Sequence, residues 1–289
     1  MALRQERLKL LIAYSTVAQI GYLFLMFPSA YHASGRLVSG DALAGGLLQA
    51  VSHATAKAAM FMAVGSIYAA VGHDRITGLG GVARALPLNV LVFALGGIAL
   101  MGVPLSGAYL AKDLLLRSAE ENGQWWWEIA VQAGGMFTAA YVVLVLAHAL
   151  AASDKPIVLA GPTSRIRDAA PLVLALCSLL LGLVPLRPYL PVPSDMTSPL
   201  FSPGILSKLL LPALGGAVIA ILVSPWPHPL ASSTSWKAMM TAAAPVRRGS
   251  LALGGLVERG NEVLCQWPAA SMCLLLLALL LGALMHMAT

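Results

Sequence analysis

The stretch Ala50–Met62, "AVSHATAKAAMFM", sets a lysine, Lys57, in the middle of a run of Ala, Met, Phe and Val. Whether that run lies in water or in lipid decides the fold. The composition of the whole chain answers: of 289 residues 58% are hydrophobic and 10% charged, with a mean hydropathy of +0.81. So few polar side chains cannot cover a soluble globule, whereas a bilayer requires no such cover. The sequence reads as an all-α polytopic membrane protein.

Moving outward from Lys57, runs near the ~20 residues that cross ~30 Å of hydrocarbon recur along the chain. They are approximately Leu10–Phe27, Leu43–Val71, Leu88–Ser118 (interrupted), Trp127–Ala151, Ala169–Val184, Ile205–Val223 and Pro268–Met287. About seven transmembrane helices follow, one of them broken. The gaps carry breakers such as "FPSAYHASG", "VGHDRITGLGG", "VPLRPYLPVPSDMTSP" and "SPWPHP". The first run follows a basic start, as a signal peptide would, but its length and the six further runs mark it as a helix that stays. No period of 20–50 residues repeats, which excludes a solenoid.

The formal charge of +6 and pI near 9.4 would suit nucleic acid in a soluble domain. Here no basic stripe with interleaved aromatics is found, and the positive residues fall mostly in short gaps. Counted gap by gap with Arg117 given to the fourth, Lys and Arg number 3, 1, 2, 1, 3, 1, 4 and 0, so alternate gaps hold 12 against 3. The positive-inside rule then places Met1 on the cytoplasmic side and Thr289 outside, with Trp125, Trp126 and Trp127 at the outer interface. A multi-pass protein of the cell inner (plasma) membrane is expected. Cys177, Cys265 and Cys273 show no ligand spacing, so neither a metal site nor a disulfide framework is expected. No flavin, iron–sulfur or nucleotide motif occurs, so no cofactor is expected and the chain carries no redox chemistry itself. Whether it serves as a subunit of an enzyme stays open.

If Leu43–Val71 is one helix, Lys57 lies 14 residues from either end, about 21 Å, beyond the snorkelling reach of a lysine stem. A mid-membrane lysine costs about 2.5–3.5 kcal/mol on insertion scales, and a residue kept at that cost is by default a functional candidate. His53 stands one turn back on the same face and Gln49 one turn further. With Ser52 and Thr55 they form a polar stripe on an Ala/Met/Val helix. The bland reading is that Lys57 and His53 only hydrogen-bond neighbouring helices. The lysine on the histidine's face favours a proton or cation pathway.

The third run holds a second anomaly, "IALMGVPLSGAYLAKDLLL". Pro104 offers no amide hydrogen to the carbonyl of Leu100, and Gly102 and Gly107 weaken the helix on both sides. A break near mid-membrane is expected, and such breaks are tolerated only where freed backbone groups face protein or a wet cavity. Lys112 follows by about two turns, with Asp113 beside it. Only about 9 Å of helix separates Lys112 from Ser118, so snorkelling is the competing account of that lysine.

Together "RLKLLIAYSTVAQIGYLFL", "VSHATAKAAMF" and "GVPLSGAYLAKDLLL" resemble consecutive signatures of the antiporter-like membrane subunits shared by respiratory complex I, membrane-bound hydrogenases and Mrp-type cation/proton antiporters. The resemblance covers about the first 190 residues and rests on the joint order and spacing of the three motifs. It implies the second half of a fold of fourteen or more helices with two inverted five-helix repeats, each holding a broken helix. It further implies that Lys57 is the lysine of a central hydrophilic axis, His53 its partner, and Lys112 the terminal lysine that connects the axis to the outer side. Gln49 and Asp113 are secondary candidates.

This sequence departs from the family at several points. A single Pro104 marks the break where members often carry two prolines, Thr55 and Ala56 separate His53 from Lys57 where aromatics are common, and Gln49 stands where some members have histidine. Residues 1–151 would be the second-repeat portion, 152–224 additional membrane helices, 225–267 a cytoplasmic segment and 268–289 a last membrane helix. The third of these mixes Leu and Val with Arg247, Arg248, Glu258, Arg259 and Glu262, as an amphipathic surface helix or an ordinary loop would. Nothing supplies the first repeat. The chain is therefore expected to translocate protons or cations with a partner polypeptide carrying the missing half and with other membrane subunits. A structural or assembly subunit is the alternative, and an inactive fragment with a mis-assigned start a third.

Overall fold

The computed structural model describes residues 2–24, 26–30, 40–123, 126–153, 165–184 and 203–223, together with short helical pieces between 241 and 276. Nine α-helices and no strand occur among the described residues. In lipid each peptide group must be bonded within its own segment, and long runs of Ala, Leu, Met and Val meet that demand as helices.

Helix α1 (Leu8–Phe24) and the short α2 (Met26–Ala30) account for the first expected span. Helix α3 (Gly40–Val71) is unbroken over 32 residues, about 48 Å and longer than the hydrocarbon of a bilayer. The short α4 (Val82–Ala85) leads into α5 (Pro87–Met101), which opens on a proline at its first position, where the missing amide hydrogen costs nothing. Helix α6 (Gly107–Glu121) follows the break, then α7 (Trp126–Leu150), α8 (Arg165–Leu180) and α9 (Pro203–Val223). Leu8–Pro28, α3 and α7 are long and apolar enough to cross a membrane. Helix α5 has 15 residues, about 22 Å, and reaches only part of the way; the chain continues through the break into α6.

The interrupted run stands as expected, with a refinement. Helix α5 stops at Met101, three residues before Pro104, because Gly102 takes the left-handed conformation (φ +86°, ψ 51°) and its amide bonds the carbonyl of Ala99. A Cβ at that position would be strained by the backbone and would lie 3.2 Å from Lys112 Nζ. Ser106 then caps α6, its hydroxyl accepting from the Tyr109 amide at 3.2 Å.

The core runs between α1, α3, α5 and α7. Leu8, Leu11 and Ile12 meet Ala56, Met60, Val64 and Ile67, along with Phe93, Leu100, Val142 and Val145. On α3 these residues recur at helical spacing beside Lys57. At one end of the bundle the Leu8 amide bonds the carbonyl of Asp74, the Ile76 amide bonds that of Glu6, and Arg7 pairs with Asp74 at 3.1 Å. These contacts pin the start of α1 to the residues following α3, so the two helices run antiparallel.

Helix α8 ends in a 3₁₀ turn (Leu181–Leu183) that seats against the break: the Gly182 amide bonds the carbonyl of Leu105 at 2.8 Å. A Cβ on Gly182 would fall 2.5 Å from that carbonyl oxygen, so only glycine allows the approach. Ser178, one turn earlier, donates to the Ser52 carbonyl of α3 at 3.0 Å.

Residues 2–233 form one compact unit and residues 234–289 a second. Of the second unit, Ala252–Leu256 is helical with Leu253 and Leu256 exposed. Most of the expected amphipathic segment, nearly all of the expected span Pro268–Met287, Cys265, Cys273 and Trp125 lie outside the described residues. Trp126 and Trp127 begin α7, their rings 3.7 Å apart between centroids.

Candidate functional site

Lys57, His53 and Gln49 stand on one face of α3 at intervals of four residues, as the sequence required, and all three are buried (4%, 7% and 0% exposed). Burial rules out snorkelling for Lys57. Its ammonium donates to the hydroxyl of Ser15, to the carbonyl of Ile12 at 3.4 Å and to the hydroxyl of Tyr141 at 3.5 Å. The Tyr141 ring centroid lies 5.2 Å away, within cation–π range. Among the described residues no carboxylate pairs with it.

Two turns back along α3, Gln49 donates to Gln19 Oε1 at 3.3 Å, and Gln19 donates to the hydroxyl of Thr138 at 2.9 Å. Three helices therefore meet at a buried polar layer: Ser15 and Gln19 from α1, Gln49, His53 and Lys57 from α3, Thr138 and Tyr141 from α7. Sequence reasoning named only the α3 members. The missing four carry the same signal on a smaller scale, a four-residue spacing in "STVAQ" and a three-residue spacing in "TAAY", each on an apolar helix.

His53 does not bond Lys57. Both of its ring nitrogens, the Ser52 hydroxyl and Gln49 Oε1 are buried without a hydrogen-bond partner among the described residues. Buried polar groups are satisfied by protein or by ordered water, so these atoms have hydrogen bonds left to make.

Lys112 turns back into the break instead of reaching for the end of α6. Its Nζ donates to the carbonyl of Met101 at 3.1 Å, one of the acceptors that the end of α5 leaves free. A cation suits that position, since the carbonyl end of a helix carries partial negative charge. Beside it lies a cavity of about 40 Å³ lined by Tyr109, Asp113, Gln132 and Gly135 among others, with Pro212 of α9 in its wall. That volume holds a few water molecules, each of which needs about 10–15 Å³ by this measure. The Asp113 carboxylate pairs with Arg117 one turn further along α6 at 3.0 Å. Gly107, the third expected break residue, is the first residue of α6, and its Cα lies against Ser52 and Leu181.

Residues 1–138 match the family model described as NADH:quinone oxidoreductase/Mrp antiporter, TM, and so take in every polar residue of the α1–α3–α7 layer but Tyr141. This part of the chain is similar to that transmembrane family. The chain is 30% identical over 236 residues to NADH-quinone oxidoreductase subunit L of Escherichia coli (strain K12), covering 78% of this chain and 35% of that one. It is 26% identical over 202 residues to Na(+)/H(+) antiporter subunit A1 of Staphylococcus aureus (strain JH9), covering 64% and 25%. It thus spans about a third or less of these two relatives. The Mrp complex of Dietzia sp. DQ12-45-1b shares the fold, with a TM-score of 0.57 and 21% identity over 100% of this chain and 32% of the matched one.

Proposed function

We propose that this chain carries part of a proton path, or of a coupled cation and proton path, in a membrane assembly. The observation that carries the reading is the buried Lys57, held only by neutral groups on an unbroken membrane helix, with His53 one turn away and a second lysine at a helix break beside a small cavity. A charge at that depth without a counter-charge is costly, and its protonation is coupled to the charge on its neighbours. Protons pass between Lys57 and Lys112 by way of His53 and water. Gln49 and Gln19, as amides without a titratable proton, close the other end of the layer. Asp113 tunes the Lys112 end while held by Arg117.

The relatives' printed names, an oxidoreductase subunit and an antiporter subunit, support the reading that the chain works with other membrane subunits. The Lys and Arg asymmetry supports a cytoplasmic amino terminus in a cell inner membrane.

The test is proton flux in inverted membrane vesicles holding the assembled transporter. Lys57→Ala is expected to lower the rate per assembled chain by at least about ten-fold, a barrier of about 1.4 kcal/mol or more. Parental flux would sink the reading. It would favour the second one, in which Lys57 fastens helices together; the observation for that is its set of bonds, all of them to α1 and α7.

A further inference from the structure

We propose that Ser15 and Tyr141 are positioning residues for Lys57, forming with the Ile12 carbonyl a cradle of neutral oxygens that holds its ammonium out of hydrogen-bond contact with His53. The inference rests on the reading of Lys57 as a proton carrier.

An ammonium has three hydrogens to place and no capacity to accept. Here it finds three acceptors on two neighbouring helices: Ser15 Oγ and the Ile12 carbonyl of α1, and the Tyr141 hydroxyl of α7. Ser15 is the centre of the arrangement. Its own hydrogen goes to the Ile12 carbonyl at 2.7 Å, which leaves its lone pairs directed at the lysine. The Tyr141 ring adds its face at 5.2 Å to the centroid.

The groups facing Lys57 are thus a hydroxyl and a carbonyl from α1, a phenol from α7 and, on its own helix, the histidine one turn back. Among the described residues none is a carboxylate. That difference matters. A carboxylate beside an ammonium favours its charged form, and an acid here would fix the lysine in an ion pair. Neutral oxygens hold the charge while leaving it free to go.

His53 shows the other side of the same geometry. Its ring nitrogens bond neither Lys57 nor any other described residue. Water must bridge the two residues for a proton to move between them, and the cradle fixes where the lysine end of that bridge stands. The hydroxyls of Ser15 and Tyr141 set how stable the held position is, and neither needs to accept the proton itself.

The experiment is the same vesicle flux, expressed per assembled chain after immunoblotting, for Ser15→Ala, Ser15→Thr, Tyr141→Phe and Lys57→Ala. Each removal of one hydroxyl is expected to slow flux by about three- to ten-fold, the worth of a single hydrogen bond. Ser15→Thr keeps a hydroxyl at the same place on α1 and is expected to restore flux to within about two-fold of the parent on the same scale. If Ser15→Ala and Tyr141→Phe run at the parental rate while Lys57→Ala is dead, the cradle is overturned and the lysine path stands. A Ser15→Thr as slow as Ser15→Ala assigns the loss to packing and also overturns it. Parental flux in Lys57→Ala removes the path and the cradle together.

Discussion

Lys57 and Lys112 are held in opposite ways. Lys57 lies on a continuous helix, and every group that binds it comes from elsewhere in the chain, 42 residues away at Ser15 and 84 at Tyr141. Lys112 is held 11 residues from home by a carbonyl that its own helix pair exposes at the break. The first site is assembled by tertiary packing and the second by a local interruption of the backbone. The first is therefore sensitive to how three helices align, and the second to whether one glycine can keep a left-handed conformation.

The sharpest way to break the comparison is to remove the second charge. Lys112→Met keeps the length and apolar bulk of the side chain, loses the donor to Met101, and is expected to lower vesicle flux by at least about ten-fold. Flux equal to that of the parent would make Lys112 a helix cap and leave Lys57 as the sole carrier.

A smaller effect sharpens the local side. Gly102→Ala forces a Cβ into a left-handed backbone and to within 3.2 Å of Lys112 Nζ, at a cost of about 1–2 kcal/mol. Thermal unfolding in detergent is expected to shift downward accordingly, with flux lowered in step. An unchanged melting temperature would mean that the break is not fixed at this residue.

The smallest effect belongs to the far end of the buried layer. Thr138→Val removes the hydroxyl that accepts from Gln19, and such interhelical bonds average about 0.6 kcal/mol within membranes. Stability is expected to fall by about that amount while flux stays within two-fold or so of the parent. A large loss of flux would extend the path through Gln19 and Gln49.

Much of this was legible in the sequence because its cause is local. Hydropathy and length set the helices, and in lipid an apolar run of sufficient length has scarcely any alternative. The four-residue spacing put Gln49, His53 and Lys57 on one face before any fold was known. "MGVP" announced the break, although the residue that ends α5 is Gly102 and not Pro104. The order of three motifs pointed to the antiporter-like subunits, and the family match over residues 1–138 bears that out.

What the sequence could not show was which helices α3 would face. Lipid tails are as apolar as leucine, so no hydrophobic pattern distinguishes a lipid-facing stripe from a helix-facing one. Ser15, Gln19, Thr138 and Tyr141 passed as scattered polar residues on apolar helices until the antiparallel pairing of α1 with α3 brought Ser15 to Lys57 and Gln19 to Gln49. In the same way Lys112 had two destinations in sequence, the end of its helix or the break behind it, since either provides a polar group within reach of a lysine stem. The free carbonyl of Met101 and the packing of α9 beside it decided between them. By itself, then, the sequence determined the solvent, the helices and the chemical groups; only the tertiary structure decided the partners of each charge, because those partners are distant in the chain and adjacent in space.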